Sequence, residues 1–129
     1  PSRGYTLTGL VNGVNTMKEI KAIIQPHMLN HVMERLHSLP HFPGVTVSDC
    51  HGQGRGRGRS GVYVATEETV FFKKMTKLEV FCPNEACDDI VRAIREAGHT
   101  GNSGDGVVTV IDLARVVRIR TGQEQEEAV

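Results

Sequence analysis

Tryptophan is absent and aromatic residues make up only 5% of the chain. That composition removes the stacking platforms on which single-stranded nucleic acids are read. Net charge is lacking too: 15 Lys+Arg balance 15 Asp+Glu, which excludes a globally basic nucleic-acid binder but leaves room for a local basic patch. The 3 cysteines stand at 50, 82 and 87, an odd number that makes no disulfide framework. No apolar run approaches the roughly 18–20 residues that a membrane span needs. No charged-then-apolar leader with a small-residue cleavage site is present, so the chain reads as cytoplasmic. What is there is 129 residues, 39% hydrophobic and 23% charged, ordinary for one globular domain with a core of its own.

Residues 1–16 (PSRGYTLTGLVNGVNT) show neither a helical nor a strand period and read as a disordered extension or a vector-derived remnant. Order begins after them. Glu19–Gln25 is β-rich and stops at Pro26, which cannot donate to a sheet ladder. Leu29, Val32, Met33, Leu36 and Leu39 recur at helical spacing, and Pro40, Pro43 and Gly44 end that helix. Val45–His51 alternates as a strand should. GQGRGRGRSG (52–61) holds no regular structure and opens a loop over about 52–72. Thr76–Cys82 is a third strand. Asn84 then suits an N-cap and Gly98 the C′ position of a second helix, with Ala86, Ile90, Val91, Ile94 and Ala97 inward. Val107–Leu113 is a strongly apolar strand, Arg115–Thr121 a short extended piece, and 124–129 an acidic tail.

Strand-Pro-helix-Gly-strand thus occurs twice, ending in GVTVSD (44–49) and GVVTVID (106–112). Such a doubled βαβ predicts an α+β, ferredoxin-like fold (βαββαβ): a four-stranded antiparallel sheet with both helices on one face. Ile20, Ala22 and Ile24 oppose Ile23, and Val108 and Val110 oppose Ile111, so both sheet faces carry apolar residues. The face without helices therefore predicts burial in an oligomer.

Three segments hold chemistry. In HTGNSGDGV (99–107), glycines around Asp105 permit either an anion-binding nest of backbone N–H groups or a plain tight turn. The segment lacks the Walker arrangement. In RIR, a strand would project Arg118 and Arg120 to one face about 7 Å apart, matching a di- or triphosphate or forming a solvated edge. The third segment sets Arg55, Arg57 and Arg59 on glycine-rich backbone, which is either a loop with a role of its own or an RGG-like sticky linker. His27 and His31 share i, i+4 spacing, but no further ligand accompanies them, so no metal site is expected. No Ser-His-Asp, HExxH or nucleophile-elbow pattern occurs, and no enzyme activity is expected. An acylphosphatase-like enzyme is disfavoured because QPHML stands where a catalytic Arg/Asn loop would follow the first strand.

EIKAIIQP, GVTVSDCHGQGRGRG and TGNSGDGVVTVIDLARVVRIRTG, in this order, resemble the PII signal transduction proteins over residues 17–123. TGxxGDG followed by ARVxRIRTG is the specific part. The resemblance implies a homotrimer with adenine nucleotides (ADP, ATP, AMP) in the clefts between subunits. It also implies a long T-loop (about 52–72) that docks on a partner such as a membrane transporter or metabolic enzyme. It assigns the phosphates to Gly104, Asp105 and Gly106, with Arg118 and Arg120 from the neighbouring subunit. Gly54 and Arg55 fall at the T-loop base, and Gly44, Thr46 and Phe81 line the adenosine pocket.

The chain departs from that pattern in places. The Lys usual after GDG is Val107, which predicts little advantage of ATP over ADP. The Gln that helps hold Mg and 2-oxoglutarate is Gly56, and the Lys that clasps 2-oxoglutarate is Met75, beside Lys74. The Tyr uridylylated in some members corresponds to Glu68, with Tyr63 five residues earlier. These changes argue against Mg and 2-oxoglutarate as effectors and favour a smaller anion such as bicarbonate. LPHFPG (39–44) and GRGRGR are similar to features of divergent PII-like proteins, some tied to bicarbonate or carbon metabolism and some to metal efflux. The competing reading, a nucleic-acid-binding ferredoxin-like domain using the RGRGR loop, is opposed by the near-absence of aromatics: TKLEVFC offers only Phe81.

Overall fold

The computed structural model describes residues 10–11, 14–53 and 73–129. Leu10–Val11 (β1) and Val14–Asn15 (β2) pair antiparallel as a short ladder. The remainder of the 1–16 extension, Thr16 and the ladder apart, lies outside the described residues. The central elements follow as Met17–Ile24 (β3), Leu29–His37 (α1), Thr46–Gly52 (β4), Lys73–Pro83 (β5), Asn84–Gly98 (α2) and Gly106–Leu113 (β6). Strand order is β4-β5-β3-β6, every pair antiparallel. This is the ferredoxin-like arrangement expected from the doubled βαβ.

Alternation sorts the sheet into two faces. Ile20, Ala22 and Ile24 of β3 are buried, as are Leu78, Val80 and Cys82 of β5, against Val32 and Leu36 of α1 and Ile90, Ile94 and Ala97 of α2. Each of the larger of these side chains contributes about 1.5–3 kcal/mol by leaving water. Arg35 Nη2 to Glu96 Oε1, 2.7 Å, ties the two helices at their exposed edge. Lys18 pairs with Asp112 across β3 and β6, where the two residues stand in register.

On the other face stand Val107 and Ile111 of β6, 55% and 48% exposed, and Phe81 of β5, 41% exposed. These apolar side chains stand among Glu19, Lys21 and Glu79, which share the face by register.

Three local expectations are corrected. Pro83, extended, occupies the N-cap of α2, and Asn84 is the first helical residue, its N–H donating to the Thr16 carbonyl at 2.8 Å. Gly98 is the last helical residue rather than C′: His99 follows in extended conformation, while Gly98 packs its backbone near Ile24 and Val32. Arg115–Thr121 is not a strand. Only Val117 makes a single bridge, to Glu124, and Arg118–Gly122 closes a turn in which Gly122 N donates to Arg118 O at 2.8 Å. Running across the open face instead of along a sheet edge, this segment finds its partners in the tail that follows. Gln125 is buried, its N–H donating to Val116 O and its Oε1 accepting from Val116 N, while Arg115 meets Glu124 at 2.6 Å.

Candidate functional site

The glycine loop between α2 and β6 is organised by its own acid. Asp105 Oδ2 accepts the N–H groups of Thr100 (2.8 Å) and Gly101 (3.2 Å), and Oδ1 accepts the Thr100 hydroxyl and Gln25 Nε2 (3.2 Å). His99 Nδ1 stands 3.5 Å from Oδ2. These donors, the Thr100 hydroxyl first, hold the Asp105 carboxyl below its ordinary value. The nest inferred from the glycines therefore already contains an anion, the Asp105 carboxylate. Gly106 is fixed by contact: with φ +106°, a Cβ there would lie 1.7 Å from the Ile23 carbonyl oxygen. Beside the loop, between α2 and β6, opens a cavity of about 410 Å³ bordered by Arg95, His99, Asp105, Val107 and Val108.

A second, smaller cavity of about 180 Å³ lies at the start of β4. Gly44, Thr46, Glu79, Phe81 and Arg118 line it, together with Val129 of the tail. Thr46 and Glu79 are cross-strand partners, and Phe81 follows two residues on, so all three share the open face. Arg118 reaches this place from the turn after β6, not from a strand. Arg120 stands exposed on the same turn.

The two groups lie apart. β4 and β6 are the opposite edges of the sheet. With strands about 4.8 Å apart, Thr46 and Gly106 are separated by roughly 14 Å across the sheet, and by three residues along it, since Thr46 is level with Lys21 and Gly106 with Ile24. Of the residues singled out from sequence, the fold joins Gly44, Thr46, Phe81 and Arg118 on one edge and keeps Gly104, Asp105 and Gly106 together on the other. Gly54 and Arg55, with Arg57, Arg59 and the rest of the T-loop to residue 72, lie outside the described residues.

Sequence reading missed Gln25, Thr100 and Glu79. The signal for Glu79 was available, since strand alternation puts it on the Phe81 face. Thr100 stood in the TGxxGDG pattern without a role attached to it, and Gln25 carried no signal: it matters only because Asp105 folds back toward it. Among the described residues, no three His, Cys, Asp or Glu side chains group as a metal site would need. His27 belongs to a 3-10 turn at Pro26–Met28, ahead of α1, which breaks its helical spacing to His31.

Cys82 and Cys87 are buried. Burial, with Cys87 adjacent, pushes the Cys82 thiol up to about 12. Burial, with Asp88 adjacent, raises Cys87 as well.

The family model for nitrogen regulatory protein P-II matches residues 17–123. Over 113 residues, covering 88% of this chain and all of the relative, the chain is 41% identical to the nitrogen regulatory protein P-II of Pasteurella multocida. It is 40% identical, with the same coverage, to nitrogen regulatory protein P-II 1 of Escherichia coli K12. Among solved structures, Arabidopsis thaliana PII bound to citrate superposes with a TM-score of 0.71 at 27% identity, over 88% of this chain and 92% of that one.

Proposed function

The chain belongs to the P-II family of nitrogen regulatory proteins, signalling regulators rather than enzymes, and from that premise we propose that it senses adenine nucleotides in clefts between the subunits of a homotrimer. The observation that carries this reading is the division of the site between opposite sheet edges. The separation supports a ligand shared by two copies, with the Gly104–Asp105–Gly106 loop at the β6 edge of one set against Arg118 at the β4 edge of the next. Charge and shape are consistent with a nucleotide. Phe81 and Thr46 offer an apolar wall and a hydroxyl to adenosine, and Arg118 and Arg120 offer bidentate forks to phosphate oxygens. The exposed Val107, Ile111 and Phe81 supply apolar surface for the assembly.

In this reading the T-loop, based at Gly54 and Arg55, rearranges with the bound nucleotide and regulates a partner, a membrane transporter or metabolic enzyme. Bicarbonate, or an anion of that size, is the favoured co-effector. Met75, at the position where relatives clasp 2-oxoglutarate, is apolar and buried and offers a carboxylate no donor, and Gly56 offers no side chain. Mg and 2-oxoglutarate are accordingly not assigned.

Light scattering together with nucleotide calorimetry tests the proposal. About three chains per particle and saturable binding of ADP and ATP are expected. A stable monomer at micromolar concentration, or a trimer indifferent to both ADP and ATP, would overturn it.

A further inference from the structure

The glycine loop is poor in positive charge. Residues 99–107 contain neither Lys nor Arg, and their one basic group, His99, faces Asp105 at 3.5 Å. The position after Gly106 is Val107, exposed and apolar. A cation nevertheless stands at the loop. Lys73 Nζ lies 3.3 Å from the point that a Cβ on Gly104 would occupy, and Gly104 has φ +87°. Lys73 is thereby in contact range of the loop backbone although it lies 31 residues earlier in the chain (104 − 73).

Strand lengths explain how it gets there. β3 lies between β5 and β6 and ends at Ile24, level with Thr76 of β5 and Gly106 of β6. β5 begins three residues before that level, at Lys73 (76 − 73). Residues Lys73–Met75 of β5 therefore extend past the end of β3, and a side chain as long as lysine crosses the gap to the loop. Among the described residues no carboxylate pairs with Lys73, whereas the adjacent Lys74 reaches Asp49 at 3.8 Å.

We propose that Lys73 is a specificity-determining residue of the nucleotide site, its ammonium supplying from β5 the positive charge that the glycine loop lacks and thereby reading the number of phosphates on the ligand. The inference rests on the nucleotide reading of the same loop. Gly104 is favoured by its φ of +87°, a conformation L side chains rarely adopt, and the bare backbone leaves room for the Lys73 ammonium beside it. An ammonium is a compact charge with rotatable donors, suited to a flexible phosphate tail rather than to a base or ribose.

The test is calorimetry of AMP, ADP and ATP on the assembled protein, comparing the parent with Lys73→Gln, Lys73→Arg and Lys74→Gln at two salt concentrations. Lys73→Gln is expected to leave AMP within about twofold, and to weaken ADP and then ATP progressively, by about five- to tenfold for ATP. The loss should shrink at high salt, and Lys73→Arg should restore most of it. Lys74→Gln, which removes the same charge one residue away, should not reproduce the dependence on phosphate number. Equal losses for all three nucleotides, or none, in a Lys73→Gln protein that remains assembled would overturn the assignment while leaving nucleotide sensing intact. Failure of the parent protein to bind any nucleotide would instead remove the reading on which it rests.

Discussion

Gln25 Nε2 donates to Asp105 Oδ1 at 3.2 Å, joining the end of β3 to a loop 80 residues later in the chain. Together with the Thr100 hydroxyl and the Thr100 and Gly101 amides, it makes Asp105 the organiser of the glycine loop rather than a freely presented carboxylate. In the proposed nucleotide site a phosphate would meet loop backbone with this acid already satisfied.

A pH dependence follows, with a definite sign. The Asp105 carboxyl is held below its ordinary value in the fold, so its contribution is fully present above the unfolded carboxylate value and is lost as pH falls through the folded one. The protection factors of the Thr100 and Gly101 amides, corrected for the intrinsic pH dependence of exchange, should fall on acidification, and Asp105→Asn should show low protection at neutral pH. Protection in the parent that is unchanged down to the point of global unfolding would contradict the assignment.

Gly106 and Gly52 should respond very differently to alanine. A Cβ on Gly106 would lie 1.7 Å from the Ile23 oxygen, whereas one on Gly52 meets nothing within 4 Å among the described residues. Gly106→Ala is expected to cost about 2–4 kcal/mol or to displace the start of β6. Gly52→Ala should remain within about 0.5 kcal/mol. Urea unfolding of the two variants checks this.

Thiol reactivity should divide the cysteines. Cys50 is half-buried, and Cys82 and Cys87 are buried. Alkylation of the native protein at neutral pH should label Cys50 alone, with Cys82 and Cys87 reacting only after unfolding. Because burial raises the Cys82 thiol to about 12, its contribution to stability is full below the unfolded thiol value and declines as pH rises toward the folded one. Native-state labelling of Cys82 at the rate of Cys50 would show that the β5–α2 corner opens.

Subunit mixing tests the divided site. Asp105→Ala unties the loop half and Arg118→Ala removes a guanidinium fork from the other; both are expected to weaken ADP, Arg118→Ala by about tenfold or more, consistent with 1.5–3 kcal/mol for a charge-assisted bond. Trimers reassembled from both variants should regain a fraction of tight sites, since some clefts then combine two intact halves. Mixed assemblies that recover nothing would place both halves in one chain.

Nucleotide and co-effector should be reciprocal. If bicarbonate orders the T-loop of the nucleotide-bound protein, it must tighten nucleotide binding by the same factor by which nucleotide tightens bicarbonate. Calorimetry of ADP with and without bicarbonate, and separately with 2-oxoglutarate, measures this. Marked tightening by 2-oxoglutarate alone would mean that Gly56 and Met75 do not carry the consequence drawn from them.

The sequence by itself determined the four long strands, the two helices and their order. The β-rich run Glu19–Gln25, the alternation of Val45–His51, the apolar spacing of Leu29–Leu39, and prolines at 26, 40 and 83 are local signals, and backbone conformation obeys them because sterics and periodicity act over a few residues. The glycine loop was legible for the same reason. Tertiary structure alone decided where distant pieces meet. RIR carried the alternation of a strand, yet Arg118 sits on a turn beside Thr46, because the chain beyond Leu113 leaves the sheet and finds hydrogen bonds in Gln125. Strand order put the glycine loop and the Phe81 pocket on opposite edges. The end of β3 at Ile24 let Lys73 reach Gly104. Such contacts depend on register and strand length summed over the whole sheet, which the spacing of residues along the chain does not encode.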